Sequence, residues 1–338
     1  MNRREIVYDA LNHKDTKTVP YFVTYTRQSL QRLIEATGDP QIGEKTGSFI
    51  HFGEYLAWPT EMPDKPNFHK CDFGVVWNRS VDKDIGCLVD PQIQDLEKST
   101  YQFPVLNEKR LRQDIENFFA TKEDKFAVFG IGFSMFERLW SLMGMENALM
   151  SMITCAEALE AFMDRICEYN LKILDIILEY DVDGVIFGDD WGQQRGLIMG
   201  LTHWRRFIKP RMARMYGKVK SKGKFVIQHS CGDNLGLFND LIEIGLDCYQ
   251  TFQPEIYDIA EVKRVYGSKL SFWGAVSTQQ ILPWLSPQGV KDEIVRIIKI
   301  LRTNGGLIIA PTHAVPYDVP PENILAMLEV FQNQEKYL

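Results

Sequence analysis

The ten residues Phe225 to Asn234, FVIQHSCGDN, run a strand-forming stretch straight into a histidine and a cysteine. His229 and Cys231 stand two apart, with Ser230 between them. On a continuing strand residues i and i+2 share a face, so both side chains can reach one ion. Imidazole plus thiolate is a donor pair that suits zinc. The pair alone is a weak signal, because His69 and Cys71 repeat it in HKC, where a surface histidine and a packed cysteine are the plainer reading. A third candidate strengthens it. His313 follows the strand-like GLIIAP as His229 and Cys231 end theirs. Three protein ligands with one open position is the pattern of a catalytic zinc. The competing reading has His313 donating to a carbonyl in its proline-bracketed loop, and spacing favours neither.

Asp189 and Asp190 follow VDGVIF in GDDWGQQ. Adjacent carboxylates at a strand end suit acid–base work or cation binding. Equally, one can cap the next helix while the other pairs with Arg195. The expectation is mixed: both are candidate catalytic residues, one facing the pocket and one structural. Gln194 adds neutral hydrogen-bonding capacity as a substrate contact. Trp191 and Trp273, at or just past strand ends, are candidates to stack on a flat ligand. For most of the remaining aromatics in these regions (Tyr21, Tyr25, Phe129, Phe133, Phe136 and Trp140), core packing is the simpler role. No Gly-rich phosphate loop and no GxSxG elbow occurs, which disfavours nucleotide and serine-hydrolase chemistry.

The elements that must position these residues alternate in the second half. Strand-like runs at 182–187, 224–229, 246–252, 269–274 and 306–311 are separated by amphipathic stretches of helical period. Gly223, Gly245, Gly267 and Gly305 each close a helical stretch just before a strand. Alternation of this kind predicts a mainly parallel sheet, here a (β/α)8 TIM barrel forming one domain over residues 1–338. TVPYFVTY (18–25) and FAVFGIG (126–132) supply two more strands, which makes seven and leaves the eighth to be inferred. Residues 38–124, with their prolines, DFGVVWNRSVDKDIG and a polar helix near 107–122, read as an insertion with a small hairpin covering the barrel mouth. Functional groups of a parallel barrel collect at the C-terminal strand ends. Those ends here read GDDWGQQ, HSCGDN, QPE, WGAVSTQ and PTHAVPYD, all rich in ligating groups.

Totals bound the rest. The chain has 338 residues, 45% hydrophobic, and its 45 acids against 38 bases give a net charge of −7. That balance argues against a broad nucleic-acid surface. No run approaches a signal peptide or the ~20 apolar residues of a membrane span, so a soluble, cytoplasmic protein is expected. Six cysteines in a chain of this length read as thiols in a reducing compartment.

GDDWGQQ, HSCGD, FWGAVSTQQILP and APTHAVPYDVPPENILAM, with REIVYDALNHKDTKTVP and DFGVVWNRSVDKDIG, resemble the uroporphyrinogen decarboxylase superfamily over nearly the whole chain. The resemblance implies a (β/α)8 barrel and one of two activities, decarboxylation of a tetrapyrrole or zinc-dependent, corrinoid-linked methyl transfer. TRQSLQRL (26–33) keeps an Arg-Gln pair but lacks the Ala-Gly-Arg-Tyr that completes the decarboxylase arginine signature. His229 and Cys231 match the methyltransferase pair, while His313 stands where that branch usually has a third cysteine. One thiolate with two imidazoles leaves zinc more positive, and a stronger Lewis acid fits an ether oxygen better than a thiol. The resemblance therefore implies an O-demethylase-type enzyme passing a methyl group from a small donor, a methoxylated aromatic, to the cobalt of a partner corrinoid protein. Asp189 or Asp190 would position or protonate the leaving group, and the insertion would contribute to docking the partner. Methyl transfer from a corrinoid to a thiol, and a structural zinc closed by Glu255 or Asp233, are the alternatives within this frame.

Overall fold

A computed structural model of the chain describes residues 1–81, 83 and 86–338. Asp82, Asp84 and Ile85 of the DFGVVWNRSVDKDIG stretch lie outside the described residues. Seven parallel strands form one curled sheet in chain order: β1 (Ile50–Tyr55), β2 (Phe126–Ile131), β3 (Gly184–Gly188), β4 (Phe225–His229), β5 (Cys248–Phe252), β6 (Ser271–Val276) and β7 (Leu307–Pro311). Every residue of β2, β6 and β7 is buried, as expected where helices cover one face and a core fills the other.

Residues 20–25 close the barrel without forming a regular strand. Tyr21 bridges to Ile309 and Tyr25 to Val315, both in parallel sense, and the Phe49 amide donates to the Tyr21 carbonyl at 2.9 Å. The segment thus lies between β7 and β1, and Pro20 at its start, which has no N–H to give, helps keep its ladder sparse. β1, the strand that the sequence left to be inferred, sits inside the 38–124 range. The same range holds a four-stranded antiparallel sheet (60–62, 65–70, 76–78, 87–89) and the helix Glu108–Ala120. Among the described residues no helix is long and apolar enough to cross a membrane.

The N-terminal helix Arg3–Leu11 plugs the lower end. Asn2 and Glu5 form a reciprocal capping box, and Arg4 reaches Asp183, whose buried carboxylate also takes the Ala127 amide. At the other side of the closing segment, Gln334 accepts from the Val19 amide and donates to the Val19 carbonyl, both at 2.8 Å. Val19 and Gln334 are both buried, so this amide pair fills a place the sheet leaves open. Gln334→Ala is expected to orphan both groups and cost about 2–3 kcal/mol. Urea unfolding of the two proteins measures this, and a loss under ~0.5 kcal/mol would show that the clamp is dispensable.

Candidate functional site

The C-terminal strand ends open into a cavity of about 550 Å³. Its walls are mainly apolar and aromatic, with Phe22, Phe52, Trp77, Phe133, Trp140 and Trp273 among them, while Glu54, Glu137, Asp190, His229, His313, Arg79, Arg138 and Gln250 are among its polar groups. An apolar cleft with a few convergent polar groups is the usual form of a small-molecule site.

The loop that carries His229 and Cys231 is held from several sides. The Tyr249 hydroxyl donates to the Ser230 carbonyl at 2.6 Å and the Tyr257 hydroxyl to the Gly232 carbonyl at 2.9 Å. The Gly232 amide donates to Gln253 at 2.8 Å, and the Asn234 side chain donates to the carbonyls of Cys231 and Gly232. Gly232 itself has φ +81°, and a side chain there would run into the backbone of Gly192 and Gln193, so only glycine fits. His229 and Cys231 thus project from a rigid turn.

Three donor atoms converge there: those of Asp190, His229 and Cys231 all lie within 4.8 Å of one another. The His229 Nε2 lies 3.6 Å from Asp190 Oδ1 and 3.7 Å from Cys231 Sγ. The Cys231 amide donates to Asp190 Oδ1 at 2.7 Å, which fixes that carboxylate. Gln250 Oε1 meets His229 Nδ1, so the ring carries its proton on Nδ1 and turns the Nε2 lone pair to the cluster. This side-chain oxygen behind a histidine is a usual support for a metal ligand.

The electrostatics ask for a cation. Burial, then the charges of Asp190 and Glu137, push the Cys231 thiol well above its ordinary range. Burial also raises Glu54, with His229 pulling the other way. Glu137 is raised well above the usual carboxylate range by burial and by Asp190 and Asp189. Anionic oxygens beside a thiol repel its ionised form, and a divalent ion is the simplest relief. By donor chemistry the cluster fits zinc, with Asp190 as a hard oxygen donor beside nitrogen and sulfur.

Asp189 and Asp190 have opposite placements. Asp189 is fully buried and accepts from the amides of Met135 (3.2 Å), Phe136 (3.0 Å) and Glu137 (2.8 Å) and from the indole of Trp191 (2.5 Å). It caps the helix Phe136–Met143 from the end of the neighbouring strand, while burial pushes its pKa up to about 6 against those donors. Asp190 is the one that lines the cavity.

The other candidates separate as well. Trp273 lines the cavity, with Phe22 edge-on at 5.2 Å and its indole N–H without a hydrogen-bond partner among the described residues. Trp191, expected to stack on a ligand, is instead packed edge-on against Trp204 at 5.3 Å with its N–H on Asp189, and does not line the cavity. Gln194 sits exposed in the turn of a two-stranded ribbon (192–193 with 196–197), away from the cavity lining. His313 lines the mouth with its ring 6.0 Å from that of His229, outside the tight three-residue cluster. Glu255 accepts from Ser277 and Asp233 from the Leu235 amide, and neither joins the cluster. Glu54, Glu137, Arg138 and Gln250 were missed. Applying the strand-end rule to FAVFGIG would have found Glu137 and Arg138 in GFSMFER.

A parallel α/β barrel with a metal-competent cluster at its C-terminal mouth is the class this geometry defines. The uroporphyrinogen decarboxylase (URO-D) family matches residues 92–334, and the chain belongs to that family. Among solved structures, a methyltransferase from Methanosarcina mazei superposes with a TM-score of 0.73 at 16% identity, covering 99% of each chain. An L-ribulose 3-epimerase covers 96% of this chain and 86% of its own at a TM-score of 0.37 and 10% identity. A 7,8-dihydropteroate synthase from Vibrio fischeri covers 96% and 95% at 0.33 and 12%. No curated protein matches the sequence.

The role of Asp189 yields a prediction. Asp189→Asn retains the volume but turns an NH2 group toward backbone donors, so at least two lose their acceptor. The expected loss is about 3 kcal/mol in urea unfolding, large for a substitution that removes no carbon. An unchanged midpoint would mean that the four donors find other partners.

Proposed function

We propose that this chain is a zinc-dependent methyltransferase that moves a methyl group from an aryl methyl ether to the cobalt of a partner corrinoid protein. The observation that carries the reading is the Asp190, His229 and Cys231 cluster opening onto an aromatic cavity. The likeness to a solved methyltransferase agrees with it. The positions that match the decarboxylase arginine signature give that alternative no support, although Arg79 and Arg138 do line the cavity. Arg27 is exposed, Arg32 binds the Tyr317 carbonyl and stacks on its ring, and neither lines the cavity.

Asp190, His229 and Cys231 would hold zinc, and His313 at the mouth is the further donor. When bound, zinc supplies a Lewis acid that takes up the charge developing on the ether oxygen. Asp190 changes the charge argument made from sequence. Carboxylate and thiolate together restore two anions, so the affinity for oxygen rests on the hard donor rather than on a low anion count. The remaining work belongs to the protein. Gln250 orients His229, and the fixed turn 229–234 keeps the donors in place without reorganisation. Trp273, Phe133 and Trp77 form flat walls for a ring. The Glu137 carboxyl, its pKa raised by burial and its acidic neighbours, stands as the proton source for the departing aryl oxygen.

Protein purified under reducing conditions without added metal is expected to carry about one zinc per chain, lost in Cys231→Ser. The wild type should also transfer methyl from a methoxylated benzene to reduced cobalamin, followed by absorbance. Metal-free wild type, or zinc unaffected by Cys231→Ser, would overturn the reading.

A further inference from the structure

Arg138 is a buried cation without a counter-ion among the described residues. It is 5% exposed and lines the cavity. Its guanidinium lies 4.0 Å above the Phe73 ring and 5.6 Å from that of Phe133. Among the described residues it enters no ion pair and donates no hydrogen bond, and these ring contacts are all that hold it. Arg211, equally buried at 6%, shows what a structural arginine looks like here. It pairs with Asp164 and donates to the carbonyls of Arg206, Phe207 and Glu160.

Its direction matters too. Arg138 follows Glu137 in the first turn of the Phe136–Met143 helix. Glu137 is raised by burial and by Asp190 and Asp189, with His229 opposing them. The positive charge of Arg138 is felt by the hydroxyls of Tyr55, Tyr101 and Tyr169. The cation therefore lies within reach of these tyrosines as well as lining the cavity. A charge removed from water and left unpaired is destabilising, and it persists where a ligand completes it. A guanidinium presents paired donors that match a carboxylate in two-pronged fashion.

We propose that Arg138 receives a carboxylate carried by the substrate, so that the methyl donor is a methoxylated aromatic acid. This rests on the methyl-transfer reading given above. The ring would lie among Phe133, Trp77 and Trp140, whose centroids are 5.5–6.0 Å apart, between the carboxylate at Arg138 and the ether oxygen at the metal-competent cluster. Arg138 sets specificity by anchoring the end of the ring remote from the reacting oxygen.

The test is binding to the zinc-loaded protein, read by tryptophan fluorescence with calorimetry as a check. The probes are methoxybenzoate, its neutral methoxybenzamide counterpart and plain benzoate. Wild type is expected to bind methoxybenzoate at least tenfold more tightly than the amide. Arg138→Met should erase that preference while leaving the amide's affinity within twofold. Arg138→Lys, which keeps the charge but not the fork, should retain a reduced preference, and it decides the matter if the methionine variant does not fold. Absence of a preference in wild type, or equal weakening of acid and amide by Arg138→Met, would overturn the proposal. The two readings fail separately. Benzoate binding that depends on Arg138, with no methyl released from methoxybenzoate to reduced cobalamin, upholds the anion site and removes methyl transfer. Methyl release from a neutral ether with no preference for the acid does the reverse.

Discussion

The buried carboxylate of Asp189 ties the site together. It lies one residue past β3, yet it spends its two oxygens on three amides at the start of another helix and on the indole of Trp191. A helix start leaves several amides without partners, and a buried anion is the strongest acceptor they can have. The bond network therefore sets where the Phe136–Met143 helix begins and which way Glu137, Arg138 and Trp140 enter the cavity. It also turns Trp191 inward and leaves Asp190, the next residue, to face out. Two adjacent identical residues thus take opposite roles because the chain reverses side from one to the next.

That arrangement creates an electrostatic imbalance at the mouth. Glu54, Glu137, Asp190 and Cys231 gather around His229, and burial raises three of these four groups. Meanwhile Arg138, in the same helix turn as Glu137, has no counter-ion among the described residues. The two imbalances are complementary to a ligand pair of opposite kind: a cation for the acidic cluster and an anion for the arginine. Sites held in such a state before binding are the ones that need little rearrangement when the ligand arrives.

Much of this was legible in the sequence, for identifiable reasons. Strand and helix periods in the second half are strong because parallel strands buried on both faces read as continuous apolar runs. The barrel rule then pointed to the strand ends around the cavity, where His229 and Cys231 lie 3.7 Å apart. β1 was missed because IHFGEY carries a histidine, a glycine and a glutamate and follows a proline-containing stretch, so it lacks that apolar run. With β1 went Glu54. Side-chain direction was beyond reach at Trp191, where a place at a strand end gives no rotamer and packing on Trp204 decides it. Gln194 is exposed because it sits in the turn of its two-stranded ribbon. His313 was matched by position in a loop, whereas Asp190 reaches the cluster through a hydrogen bond from the Cys231 amide that no spacing rule encodes.

The central claim is that the His229 turn and Asp190 form one zinc site. X-ray absorption at the zinc edge of the purified protein tests it most directly. A single sulfur at about 2.3 Å with the remaining ligands nitrogen or oxygen at about 2.0–2.2 Å is expected, and a shell without sulfur in Cys231→Ser. A shell of several sulfurs, or one without sulfur in the wild type, would contradict it.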